Sequence, residues 1–123
     1  MQNIKEILEK DLDNLPPDTR RELKRYLVQL DQKQKHNRIQ TDFLTFVKHM
    51  WPDFIEGYHH KIIGEKFNKL KNGEIKRLIV NMPPRHTKSE FASFLLPAWM
   101  IGGNPKLKII QATHTAELAV RFG

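Results

Sequence analysis

Pro83-Pro84 sets the sharpest limit on how this chain folds. Neither proline can donate a backbone hydrogen bond, so the element before them must stop there. That element is Leu78-Ile79-Val80, a short apolar run behind Lys76 and Arg77, which predicts a strand buried on both faces of a parallel sheet. After the prolines come Arg85-His86-Thr87 and then Lys88-Ser89. Beyond these, Phe91, Ala92, Leu95, Leu96 and Trp99 line one helical face. Strand, tight polar loop, Lys-Ser, helix is the order a phosphate-binding loop requires.

The chemistry of such a loop follows from its place. Unpaired N–H groups at a helix start, at the positive end of the helix dipole, attract anions. Lys88 is positioned to reach the β- and γ-phosphates of a nucleotide, and the Ser89 hydroxyl to ligate Mg²⁺. Pro84, Arg85, His86 and Thr87 complete the loop around the phosphates. The usual pattern is G-x-x-x-x-G-K-[ST], and here Met82 and Thr87 stand where the glycines would be. Glycine allows a positive φ and close backbone approach, so Thr87 must find an allowed conformation or bear strain. The plainer alternative is that Lys88-Ser89 opens an ordinary surface helix.

A chain of 123 residues, 39% hydrophobic and 28% charged, can bury one small core. Cysteine is absent, which excludes a disulfide framework and a thiolate metal site. No apolar run approaches the roughly 20 residues needed to span a bilayer, and the N-terminus has no signal-peptide core, so the expectation is a soluble intracellular protein without membrane contact. The net charge is +7. Residues 41–123 hold twelve basic and seven acidic side chains, so most of the excess lies there. It favours polyanionic partners or is simply a solvated basic surface.

Helices are expected over 3–14 and, after Pro16-Pro17, from the Thr19/Glu22 capping-box pattern through Leu23, Tyr26, Leu27 and Leu30. The two would form a hairpin, with 32–40 a frayed end or linker, giving an N-terminal region 1–40 ahead of a domain 41–123. Thr41 reads as the N-cap of a helix with Phe43, Phe46, Val47 and Met50 inside, stopped at Trp51-Pro52. A further helix starts at Tyr58, carries Ile62, Phe67 and Leu70 on one side, and stops at Asn72-Gly73. His59 and His60 are neighbours, about 100° apart on a helix, which is poor geometry for a shared metal. Pro97 should kink or end the loop helix. Residues 106–112 read as a second strand in the same parallel sheet, and Thr113-His114-Thr115 as a polar turn with Thr115 capping Ala116 to Phe122.

Three stretches together, Asn81-Met82-Pro83-Pro84-Arg85-His86-Thr87-Lys88-Ser89-Glu90, 94–105 and 108–123, closely resemble the ATPase domain of tailed-phage terminase large subunits. The segment 46–63 resembles the lead into that core. The resemblance runs from about Phe43 to Gly123. It implies an α/β fold, the parallel sheet of an ASCE-like P-loop NTPase, incomplete here and preceded by an N-terminal helical region. It further implies ATP and Mg²⁺ as cofactors, Lys88 and Arg85 as catalytic residues with Arg85 stabilising charge on the γ-phosphate, and Tyr58 and His59 near the adenine. Duplex DNA, a small terminase subunit and a portal protein are the implied partners, with the motor a ring on the portal in the host cytoplasm, outside the mature virion.

An ATPase of that class also needs an acidic strand end for Mg²⁺ and a carboxylate to orient water. No such strand follows, nor the family's nuclease domain, so the chain is expected to be an amino-terminal piece without turnover of its own. The alternatives are a non-catalytic basic module that binds nucleic acid or a partner protein, and a piece of another helicase-like ATPase.

Overall fold

The computed structural model describes residues 14–122. The helix expected over 3–14 falls outside them apart from Asn14, which lies in a turn. The chain divides into two compact units, Met1–Asn37 and Arg38–Gly123.

The described part of the first unit is helical. Helix α1 (Pro17–Thr41) begins on a proline, whose missing N–H falls where a helix has no internal bond to make. Pro16 O accepts the Arg20 N–H at 3.0 Å, so Thr19 and Glu22 sit inside the helix and do not form its cap. The helix runs on through 32–40, whose Gln and Lys residues are good helix formers. No residue of α1 is buried.

The second unit builds its core from α2 (Phe43–Met50), α3 (Tyr58–Lys71), a π-helical stretch Glu90–Leu95 and α4 (Leu96–Gly103), with α5 (Ala116–Phe122) following. Asp42, not Thr41, caps α2: its carboxylate accepts from Thr45 N at 2.8 Å and Thr45 Oγ1 at 2.7 Å. Asn68 of α3 locks this end in place, donating to Asp42 Oδ1 at 2.9 Å and accepting the Phe43 N–H at 2.8 Å. Burial pushes the Asp42 carboxyl up, but the bonds from Thr45 and Asn68 outweigh it and leave the group below its ordinary value.

Fully buried Phe43 is the hub of the core. Its ring meets Phe67 at 4.9 Å, Phe91 at 5.3 Å and Trp99 at 5.4 Å, all edge-on, the geometry aromatic quadrupoles favour. Trp99 Nε1 donates to Ile39 O at 2.8 Å, and Lys71 Nζ sits 3.8 Å from the Trp99 ring centroid. Gly64 lets α3 approach α2, since a Cβ there would stand 2.7 Å from Leu44 Cγ.

Pro97 explains the π-helical stretch. In a regular α-helix its ring would clash with Ser93 O and leave that carbonyl without a donor. The backbone widens instead, with Leu96 N–H reaching Phe91 O in an i→i+5 bond. Gln111 Nε2 donates to the freed Ser93 O at 2.6 Å.

The expected α/β fold with its parallel P-loop sheet is not formed: among the described residues there is no strand, and the unit is built of helices. Residues 77–83 and 107–113 lie outside any helix and join no ladder. An extended segment becomes a strand only when a neighbour about 4.8 Å away takes up its N–H and C=O groups. The first segment also has one buried face, not two. Leu78, Val80 and Met82 pack on the helical core while Ile79 is 85% exposed, the period-two alternation of extended chain.

Candidate functional site

The loop from Met82 to Glu90 is held in an unusual backbone. Arg85 and Thr87 are the two non-glycine residues with positive φ among those described, at 64° and 60°. A left-handed conformation costs an L-residue roughly 1–2 kcal/mol, and it is a genuine outlier for a β-branched side chain. Thr87 therefore takes the conformation a glycine would supply there, and it is strained. Strained backbone persists only where surrounding structure over-determines it.

His60 supplies that surrounding structure. It lies in the first turn of α3, 6% exposed, against Phe54 and Phe91. Gly57 N–H donates to its Nδ1 at 2.8 Å. Half a capping box results, since glycine has no side chain to return a bond. With Nδ1 accepting, the proton sits on Nε2, which lies 2.8 Å from Thr87 Oγ1. Thr87 Oγ1 gives its own proton to His86 O at 2.6 Å, so it accepts from His60. Desolvation by burial holds the His60 imidazole below its ordinary pKa, with His59 and then His86 adding to the effect and Glu56 opposing it. The neutral ring is the form this hydrogen-bond pattern requires.

Lys88 and Ser89 open the helix as expected, and Thr87 O accepts the Phe91 N–H at 2.9 Å as its first bond. Lys88 Nζ folds back over the loop to within 3.5 Å of Met82 O. His86 Nδ1 donates to Pro84 O at 3.0 Å. Met82, Pro83, Pro84, Arg85, Thr87, Lys88, Ser89 and Glu90 line a cleft of 400 Å³. Glu90 is held by Arg121 Nη2 at 3.3 Å. The structure thus brings together Pro84, Arg85, Thr87, Lys88 and Ser89 around one opening, with His86 in the loop between them.

A second, apolar cleft of 340 Å³ adjoins it through Met82, lined by His59, Ile62, Ile63, Lys66 and residues 78–82. The His59 ring lies tilted against His60, 3.8 Å between centroids, and 5.6 Å from His86. Its Nε2 is buried without a hydrogen-bond partner. Tyr58 is 80% exposed and lines neither cleft.

The sequence reading set His59 and His60 aside as a metal pair, kept Tyr58 and His59 near the base and gave His60 no role. The signal was present: His60, Ile63, Gly64 and Phe67 are the buried residues of α3, spaced i, i+3, i+4, i+7. The expected inner face of Ile62, Phe67 and Leu70 shares Phe67 with this stripe, but it took the half-exposed Ile62 in place of Ile63 and so missed His60. Among the described residues no group of three or more His, Cys, Asp or Glu is placed to hold a metal ion.

No family model, no curated protein and no solved structure matches the chain.

Proposed function

We propose that Met82–Glu90 cradles the phosphates of ATP and that the chain is the nucleotide-binding part of a viral DNA-packaging motor, coupling ATP hydrolysis to movement of duplex DNA. The observation that carries the nucleotide reading is the positive φ of Thr87 immediately before Lys88-Ser89. Left-handed backbone ahead of a helix start lets successive amides face one anion, and strain of this kind clusters at ligand clamps. The step from nucleotide to packaging motor draws on the resemblance of 81–123 and on the basic excess of residues 41–123.

In this reading Lys88 leaves Met82 O and bonds the β- and γ-phosphate oxygens, where a compact ammonium in a sheltered cleft is worth most. Arg85 supplies further positive charge to the γ-phosphate as its charge redistributes. Ser89 makes no capping bond, which leaves its hydroxyl oxygen for a hard cation. Mg²⁺, when bound with the nucleotide, neutralises phosphate charge. His59 lines the apolar cleft next to the cradle, where its ring offers a stacking surface to the base.

The test is calorimetry with ATP, with and without Mg²⁺, on the parent chain and on Lys88→Ala. Saturable binding that Lys88→Ala weakens supports the cradle. Identical binding by both proteins, or none by the parent, removes it. Duplex DNA binding is expected to be sequence-independent and to fall steeply with salt, because only phosphate contacts are invoked.

A further inference from the structure

We infer that His60 is a positioning residue for the loop: through Nε2–H to Thr87 Oγ1 it holds Thr87 in the left-handed conformation that glycine would adopt unaided. Its consequence for nucleotide binding rests on the phosphate reading of Met82–Glu90, whereas its claim about the backbone does not.

Three observations carry it. First, Thr87 is β-branched and stands at φ 60°, so something outside the loop must hold it there. Within the loop, Thr87 Oγ1 bonds only to the adjacent His86 O, a contact between neighbours that anchors the loop to nothing. Second, the His60 bond crosses 27 residues, from the first turn of α3 to the loop. It is a tie between a rigid element and a strained one. Third, the His60 ring is used at both ends. Nδ1 takes the Gly57 N–H, which fixes the tautomer and the ring's orientation and so aims Nε2–H at Thr87. A residue needed only to fill the pocket beside Phe54 and Phe91 would be apolar, and one needed only to finish the helix end would use a single acceptor.

The arrangement gives the chain a loop that is shaped before ligand arrives, although the flexible glycine is missing. Preorganisation of this kind raises affinity by removing the ordering cost from the binding step. It also places the remote helix end in the affinity of the site.

The experiment uses the whole chain. Backbone NMR shifts and couplings report the φ of Thr87 in the parent, in His60→Ala, and in Thr87→Val, which keeps the shape and removes the hydroxyl. Mg-ATP titration follows on the same proteins and on the His60→Ala/Thr87→Gly double variant. The expected result is a positive φ in the parent that is lost in both single variants, and an affinity about tenfold weaker, the worth of one good buried hydrogen bond. Thr87→Gly should restore affinity in the His60→Ala background, and His60→Gln, which keeps an acceptor and a donor, should retain most of it. Should His60→Ala fail to fold, Thr87→Val and His60→Gln decide the matter, since Thr87 lies in a surface loop. A positive φ that persists in Thr87→Val overturns the inference whatever the nucleotide does. A φ that is lost while the parent binds no ATP keeps His60 as the positioning residue and removes the phosphate reading instead.

Discussion

Residues 78–90 and 107–118 follow the same script of irregular segment, polar turn and helix, yet they are held in different ways. The first segment packs Leu78, Val80 and Met82 on the core, and its turn is tied to α3 by the His60–Thr87 bond. The second leaves Ile110 96% exposed. Its turn is closed locally, by Thr113 Oγ1 to Thr115 O at 2.8 Å and Leu118 N–H to Thr115 Oγ1 at 3.3 Å. Its remote tie is Gln111 to Ser93 O. Both turns are polar and both precede a helix. The positive-φ residues are in the first, and there a contact from distant sequence opposes the relaxation of Thr87. Strain can be kept where tertiary structure over-determines the backbone, and a locally capped turn has no means of keeping it.

The largest effect that would break this contrast is removal of its foundation. Phe43→Ala should cost about 3–5 kcal/mol in urea denaturation, because it empties the centre of the aromatic cluster behind Phe91. Ile110→Ala should stay within about 0.5 kcal/mol of the parent, as an exposed position does. Equal losses from the two would mean that both segments are core elements, and the contrast would fail.

Lys88→Ala comes next. It should weaken Mg-ATP affinity by about 10–100-fold, the range for a charge-assisted hydrogen bond of about 1.5–3 kcal/mol. Calorimetry at constant ionic strength measures it. A change below twofold would leave the first turn with no more claim on phosphate than the second.

Thr115→Ala probes the locally held turn. Loss of its side-chain cap on α5 should lower stability by about 1 kcal/mol. That loss should come without any change in ATP affinity. A coupled loss of affinity would show that the second turn reaches the site after all.

The smallest expected effect is a pH dependence. His60 is held neutral below its ordinary pKa, so the unfolded chain takes up a proton near pH 6.5 while the folded chain does not. Its contribution is complete above that value and falls as pH drops through it toward the folded pKa. Glu56 opposes the shift, and His59 and His86 reinforce it. Denaturant midpoints at pH 7.5 and 5.5 should differ more for the parent than for His60→Gln. An equal difference would place the titration elsewhere.

Much of the local structure was legible in the residues themselves. Trp51-Pro52 ends α2, Thr115 caps α5, and Lys88-Ser89 opens a helix. Each is a short-range effect: a missing N–H, a restricted φ, a hydroxyl within reach of its own amides. Pro97 was readable as a disturbance, but its form as a π-helical stretch depended on a donor, Gln111, being available to Ser93 O.

The tertiary structure decided what depends on distant partners. The continuous apolar run Leu78-Ile79-Val80 predicted a strand buried on both faces, but pairing into a sheet needs a second segment alongside, and among the described residues none is paired. Asp42 displaced Thr41 as the cap because Asn68, on another helix, completes the Asp42 bonds. The residues of the loop were named from sequence, while the conformation of Thr87 and the partner that enforces it were not. A left-handed threonine is unfavourable by every local rule, so local reasoning could state only that strain was the alternative to relaxation. What settled it is a bond from a histidine 27 positions earlier, between groups that only the folded core brings within 2.8 Å.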